Sequence, residues 1–190
     1  MGRPPQHDEE RLLDVAAELA GRAGAAGVTM SAVARAAGAP SGSVYHRFPN
    51  RPALLAALWL RTVERFHAGF LAALAEPDPA GAARSAARHV VAWSRANPAG
   101  TAILLPGARD FGADTWPDAE RARLARADRS VTRAMRDLAT RRGDASARGV
   151  DLVRLAVVDV PLSVVRRHRD RRLPRHAESL VTDAVTALLS

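Results

Sequence analysis

Apolar positions in this chain recur at helical spacing, not strand spacing. Leu12, Val15, Ala16, Leu19 and Ala23 follow i, i+3, i+4, i+7 and predict a first helix from about Asp8 to Arg22. Gly24 and Gly27 end it. Thr29 is positioned to cap a short second helix, Met30 to Ala37, and Gly38-Ala39-Pro40 breaks the chain after it. A third short helix is expected from Ser41 to Phe48. Pro49-Asn50-Arg51-Pro52 is the next breaker, with Pro52 suited to the first turn of a long fourth helix reaching about Ala75. After Pro77-Asp78-Pro79, helices are expected over 80–96, 99–105, 118–142, 147–169 and 175–189. The stretch 106–117, with Gly107, Gly112 and Pro117, is the least regular. Alternating strand-type stretches are absent. The expected architecture is all-α: a three-helix head over residues 1–50 and a larger helical body over 51–190, about nine helices in total.

The last two helices carry more apolar surface than a small body needs. Val153, Val157, Val160 and Val164 occupy one side of the first, while Leu155, Val158, Leu162 and Val165 occupy another. A helix apolar all round is buried on both sides. The final helix gathers Val181, Ala184, Val185, Leu188 and Leu189 on one face. A second copy of the chain would cover this excess, so a twofold dimer is expected through Val153, Val157, Val160, Val164, Val181, Val185 and Leu188. The alternative is a monomer with one deeply buried helix. Pro161 should kink the run.

Composition removes several classes. The 190 residues include no cysteine, which excludes a disulfide framework, a thiolate metal site and a cysteine nucleophile. No apolar run approaches the roughly 18–20 residues that span a bilayer. The opening residues have no apolar signal core, so a soluble cytoplasmic protein without membrane partners is expected. Net charge is +8, and all 28 basic residues are arginine. With 41 alanines, that preference is what a GC-rich genome produces, yet arginine still keeps its charge and forks onto phosphates. Location matters more than the total. Residues 1–50 hold five arginines and five acids, whereas residues from 77 onward hold 20 arginines and 13 acids.

The informative segment is Thr29-Met-Ser-Ala-Val-Ala-Arg-Ala-Ala-Gly38-Ala-Pro-Ser-Gly-Ser43-Val-Tyr-His-Arg-Phe48, two short helices joined by a three-residue turn containing glycine. This is helix-turn-helix spacing, shared by many helical hairpins. Gly38 suits the left-handed conformation that the turn needs. Val33, Val44 and Phe48 point inward, and Ala34 and Ala37 allow close approach. Ser41, Gly42 and Ser43 open the second helix with small groups, so its amides can approach a phosphate or groove floor. Tyr45, His46 and Arg47 offer phosphate-contacting groups on the outer surface, and Arg51 starts the next helix on the same side.

Over residues 8–58, and above all in Gly38-Ala-Pro-Ser-Gly-Ser-Val-Tyr-His-Arg-Phe-Pro-Asn-Arg-Pro-Ala-Leu-Leu, the chain resembles the DNA-binding head of the TetR family of transcriptional regulators. The resemblance implies that Thr29 caps helix two and touches a phosphate, and that Ser31 faces a base. It places Ser41 and Gly42 at base-reading positions, and Ser43, Tyr45 and His46 at phosphate-contacting ones. Arg51 stands where the family usually has lysine, clamping the phosphate backbone of the DNA. Two positions depart from the pattern: Ser41 is short where the family often has a longer polar residue, and Gly42 has no side chain. Readout through DNA shape follows from that. Arg3 could add a minor-groove contact.

The resemblance also implies that the body binds a small-molecule effector that releases a double-stranded DNA operator, which suggests a repressor. Six of eight aromatics lie between Trp59 and Trp116. Candidate pocket residues are Phe66, Phe70, Trp93, Leu104, Phe111, Trp116 and Leu162, and core packing is the alternative for each. Asp159, inside an apolar run, either pairs with an arginine or recognises a polar ligand group. His67 and His89 lie on neighbouring helices, too few ligands for a metal site, and no cofactor is expected. Arg166–Arg175 packs six arginines into ten residues, as a solvated loop or an anion site. No phosphate loop, Gly-x-Ser-x-Gly elbow or His-Glu-x-x-His supports an enzyme. An all-α enzyme and a nonspecific DNA-coating protein remain the rival classes.

Overall fold

The computed structural model describes residues 5–169 and 171–190, so Arg3 and Asp170 lie outside the described residues. The described residues are helical, with no strand among them. The helices are α1 (Pro5–Ala23), α2 (Met30–Ala37), α3 (Ser41–Arg47), α4 (Arg51–Leu74), α5 (Pro79–Ala96), α6 (Pro98–Leu104), α7 (Asp118–Arg141), α8 (Ala147–Arg154), α9 (Val160–Arg167) and α10 (Ala177–Leu188). A π-helical turn, Leu155–Asp159, joins α8 to α9 in one continuous rod, which leaves nine rods among the described residues. Pro161 explains the turn. It offers no N–H to Val157, and its ring crowds that carbonyl, so the backbone widens by one residue. The irregular stretch after α6 holds two short 3-10 turns, Ala108–Phe111 and Ala113–Thr115.

The chain forms two compact units, with the boundary falling inside α4 and again inside α7. One unit takes the chain up to Val63 together with Pro98–Ala125. Its core joins Leu12 and Ala16 of α1, Val33 of α2, Val44 of α3 and Phe48 to Leu54, Leu58 and Trp59 of α4. Ile103, Phe111 and Trp116 belong to the same core. Alpha1 packs on α6 so closely that a Cβ at Gly21 would stand 3.3 Å from that of Ala99. The Arg61 guanidinium, from α4, reaches Glu10 at 2.9 Å and Asp14 at 2.8 Å on α1.

The other unit takes Glu64–Asn97 and Arg126–Ser190. Alpha5 is its centre, packed on α9, the π turn and α10. Small residues on α5 (Ala82, Ala83, Ala86 and Ala87), all fully buried, let those helices approach. Arg95 of α5 pairs with Glu178 of α10 and donates to the Pro174 carbonyl at 3.0 Å.

This packing bears on the expected dimer face. Val153, Val157, Val181 and Val185 are at most 1% exposed within the single chain, where α9, the π turn and α10 pack on α5. They form part of the unit's own core and are already covered within one protomer. Val160, Val164 and Leu188 are half-buried. The outward apolar residues are instead Leu155, 42% exposed, and Leu180, 53% exposed. Asp159 is also exposed, so it is not the buried carboxylate expected from its apolar neighbours in sequence. The described arginines between 166 and 175 are all exposed.

Candidate nucleic-acid interface

Local chemistry sets the helix-turn-helix. Thr29 Oγ1 accepts the Ala32 amide at 3.1 Å and lies 3.3 Å from Ser31 Oγ, so the cap fixes where α2 begins. At the other end Gly38 is left-handed, with φ 62° and ψ 29°. Its amide donates to the Arg35 carbonyl at 3.2 Å, and the Ala39 amide donates to Ala34 at 3.0 Å. These paired bonds are a Schellman motif, which reverses the chain within three residues. A Cβ at Gly38 would meet nothing within 4 Å, so an alanine there would cost only its backbone strain, about 1–2 kcal/mol. Arg11 of α1 reinforces the turn by donating to the Ala37 carbonyl at 2.9 Å.

Alpha3 then presents two different sides. Val44 (0% exposed) and the following Phe48 (3%) hold it in the core. Ser41, Gly42, Ser43, Tyr45 and His46 are exposed, and Tyr45 at 55% is one of three exposed large hydrophobics among the described residues. Tyr45 thus presents both a ring and a hydroxyl on this face of α3. A Cβ at Gly42 would find nothing within 4 Å, so that position leaves the face of α3 open to close approach. Arg47 is half-buried. Arg51 is exposed, but two of its donors are committed to backbone carbonyls of its own chain. Neither the Arg11 nor the Arg51 bond was legible in the sequence, since each joins residues 23 to 26 apart.

The candidate pocket residues do not form one group. Phe111 and Trp116 are each 1% exposed in the first unit's core, where the Trp116 indole N–H donates to the Phe111 carbonyl at 2.9 Å. Leu104 packs against the same core. Those three lie in the first unit, because the chain returns to it at Pro98. Phe66, Phe70 and Trp93 do come together, in the second unit. Phe66 stacks on Phe70 at 5.6 Å and meets Trp93 edge-on at 5.3 Å. His67 and His89 flank Phe66 at 5.8 and 5.2 Å. Leu162 is half-buried on α9. Gly69 makes room for one of these rings, since a Cβ there would lie 2.3 Å from the His89 ring. Among the described residues no three potential metal ligands gather.

Burial holds His67 and His89 below the usual histidine range. At His89 a bond of 3.0 Å to the Phe66 carbonyl opposes this, and that acceptor requires Nε2 to carry the proton of the neutral ring. At His67 the carboxylates of Asp128 and Glu64 oppose it, while burial pushes Asp128 up. A histidine with a lowered folded pKa stabilises the fold fully above its unfolded value near 6.5. That stability is lost as pH falls below 6.5, because the unfolded chain takes the proton first. Thermal melts between about pH 7.5 and pH 5 should therefore show a smaller acid loss in His89→Gln than in the wild type. Parallel pH profiles for the two proteins would contradict this.

Together these features define an all-helical protein whose head is a helix-turn-helix with an exposed, polar second helix. Residues 12–58 match the family described as bacterial regulatory proteins, tetR family. The structure of the TetR family transcriptional regulator PfmR from Thermus thermophilus aligns with a TM-score of 0.75 at 18% identity, covering 94% of this chain and 97% of that one. The fatty acid degradation regulator FadR from Bacillus halodurans aligns at 0.74 and 15% identity, over 100% and 97%. The ketosteroid transcriptional regulator KstR2 of Mycobacterium tuberculosis aligns at 0.72 and 16%, over 96% and 93%. No curated relative matches by sequence. Over residues 12–58 the chain matches the tetR family, and over its length it has the fold seen in those solved TetR family regulators. No helix among the described residues is long and apolar enough to cross a membrane.

Proposed function

We propose that the protein is a ligand-responsive transcriptional repressor that binds a near-palindromic operator as a homodimer and is released by a small-molecule effector. The observation that carries this reading is α3, anchored by Val44 and Phe48 and exposing Ser41, Gly42, Ser43, Tyr45 and His46 beside the capped Thr29 and Ser31. Such a helix fits a major groove, with phosphates held at its rim by Thr29, Ser43, Tyr45 and His46. Ser41 and Gly42 leave little side chain for base edges, so operator choice relies on shape and deformability. Outward Leu155 and Leu180 supply the dimer face, beside half-buried Val160, Val164 and Leu188. The ring group of Phe66, Phe70 and Trp93 supports an apolar effector, the reading also in keeping with two similar structures named for fatty acid degradation and ketosteroid regulation. The absence from the sequence of recognised catalytic motifs favours a cytoplasmic regulator over an enzyme.

The test is selection of duplexes from a randomised library by the full chain. An enriched sequence with two related half-sites is expected. On that duplex Tyr45→Ala should weaken binding about tenfold, roughly 1–1.5 kcal/mol, with helicity and oligomeric state unchanged. Undiminished binding by Tyr45→Ala would remove it from the contact face.

A further inference from the structure

Arg51 opens α4, and its guanidinium is spent largely inside the first unit. Nε donates to the Val28 carbonyl at 2.8 Å, and an Nη donates to the Ala25 carbonyl at 2.6 Å. Ala25 begins the 3-10 turn that follows α1, and Val28 immediately precedes the Thr29 cap. The Ala25 carbonyl already accepts the Val28 amide at 3.1 Å, so Arg51 adds a second donor to a turn that is closed by one bond. Its own backbone is fixed next door, where Asn50 Oδ1 accepts the Ala53 amide at 2.9 Å and caps α4. Arg51 is therefore held at both ends, by the cap beneath it and by two carbonyls across from it. A planar fork presents Nε and Nη to two carbonyls at once in a fixed geometry, whereas an ammonium carries its three donors on one nitrogen at the end of a flexible stem.

We infer that Arg51 is a positioning residue: it ties the first turn of α4 to the loop leading into α2 and so fixes the attitude in which the helix-turn-helix meets DNA. The inference rests on the DNA-binding reading of the head. It departs from the role implied by the family resemblance, in which this position clamps a phosphate directly. The two roles differ in what they do to salt dependence. Each neutralised phosphate adds about 0.9 to the slope of log affinity against log salt. A residue that orients the head changes affinity without removing a released counterion.

The experiment compares wild type, Arg51→Lys and Arg51→Ala as full chains on the duplex that wild type enriches from a randomised library. Both variants are expected to bind about tenfold more weakly, lysine nearly as weakly as alanine, with the salt slope unchanged. Without DNA, hydrogen exchange at amides 25–33 should rise in both variants, while amides of the second unit keep their protection. Wild-type affinity in Arg51→Lys, a slope reduced by about one in Arg51→Ala, or unaltered exchange at 25–33 would each overturn the positioning role. If alanine unfolds the head, Arg51→Lys keeps the charge and decides the matter alone. If wild type enriches no duplex, the DNA-binding reading fails, and the exchange measurement still judges the tie between α4 and the α2 entry.

Discussion

Leu180→Asp should give folded monomers that no longer hold a two-half-site duplex. Leu180 is 53% exposed in the single chain, so the substitution removes little from the protomer's own packing. Beyond it on α10, Ala184 is half-buried and Ala187 exposed, which continues a small-residue apolar strip one and two helical turns further along. In a twofold assembly one substitution places a carboxylate on both copies of one patch. Like charges in a desolvated interface cost several kcal/mol, so dimerisation should weaken at least a hundredfold, about 3 kcal/mol. Sedimentation at micromolar concentration would show it, with circular dichroism as the check on folding. Val157→Asp is the contrasting variant. Val157 is 0% exposed inside the chain, and a carboxylate there should unfold the second unit rather than split a dimer. An intact Leu180→Asp dimer would place the interface elsewhere.

The second large effect is expected at Trp116, where alanine should cost the head about 3–5 kcal/mol. Its ring lies 5.9 Å from that of Trp59, its indole N–H is satisfied by Phe111, and it shares a core with Val44 and Phe48 of the recognition helix region. Residues far along the chain thus support α3 from behind. Denaturant unfolding should show the lost stability, and operator affinity should fall with the unfolded fraction. Were Trp116 a pocket wall, alanine would leave the fold stable and alter the effector response, which is the outcome that would revive the sequence-based reading.

Those two cases also show what the residues alone made legible. The span of α2 could be read because both its ends are local chemistry, a threonine cap and a left-handed glycine. The inward Val44 and Phe48 followed from spacing. Which faces of the last helices turn inward did not, because a run apolar on every side carries no directional signal, and only packing within the second unit decides which valines are buried. The grouping of the aromatics was not legible for a related reason. They are close in sequence, but the chain leaves the first unit after Val63 and re-enters it at Pro98, which divides them between two cores. Asp159 faces outward although its neighbours are apolar, since the π turn shifts the register around it. Basicity was a poor guide throughout: most of the surplus arginine lies beyond residue 77, while the head is neutral.

The most direct measurement is a hydroxyl-radical footprint of the full chain on its enriched duplex, with the number of bound chains counted on the same complex. Two symmetric protected half-sites, centred one helical turn or a multiple of it apart and held by paired chains, are predicted. Uniform protection that grows with concentration, or a single site held by one chain, would contradict the account.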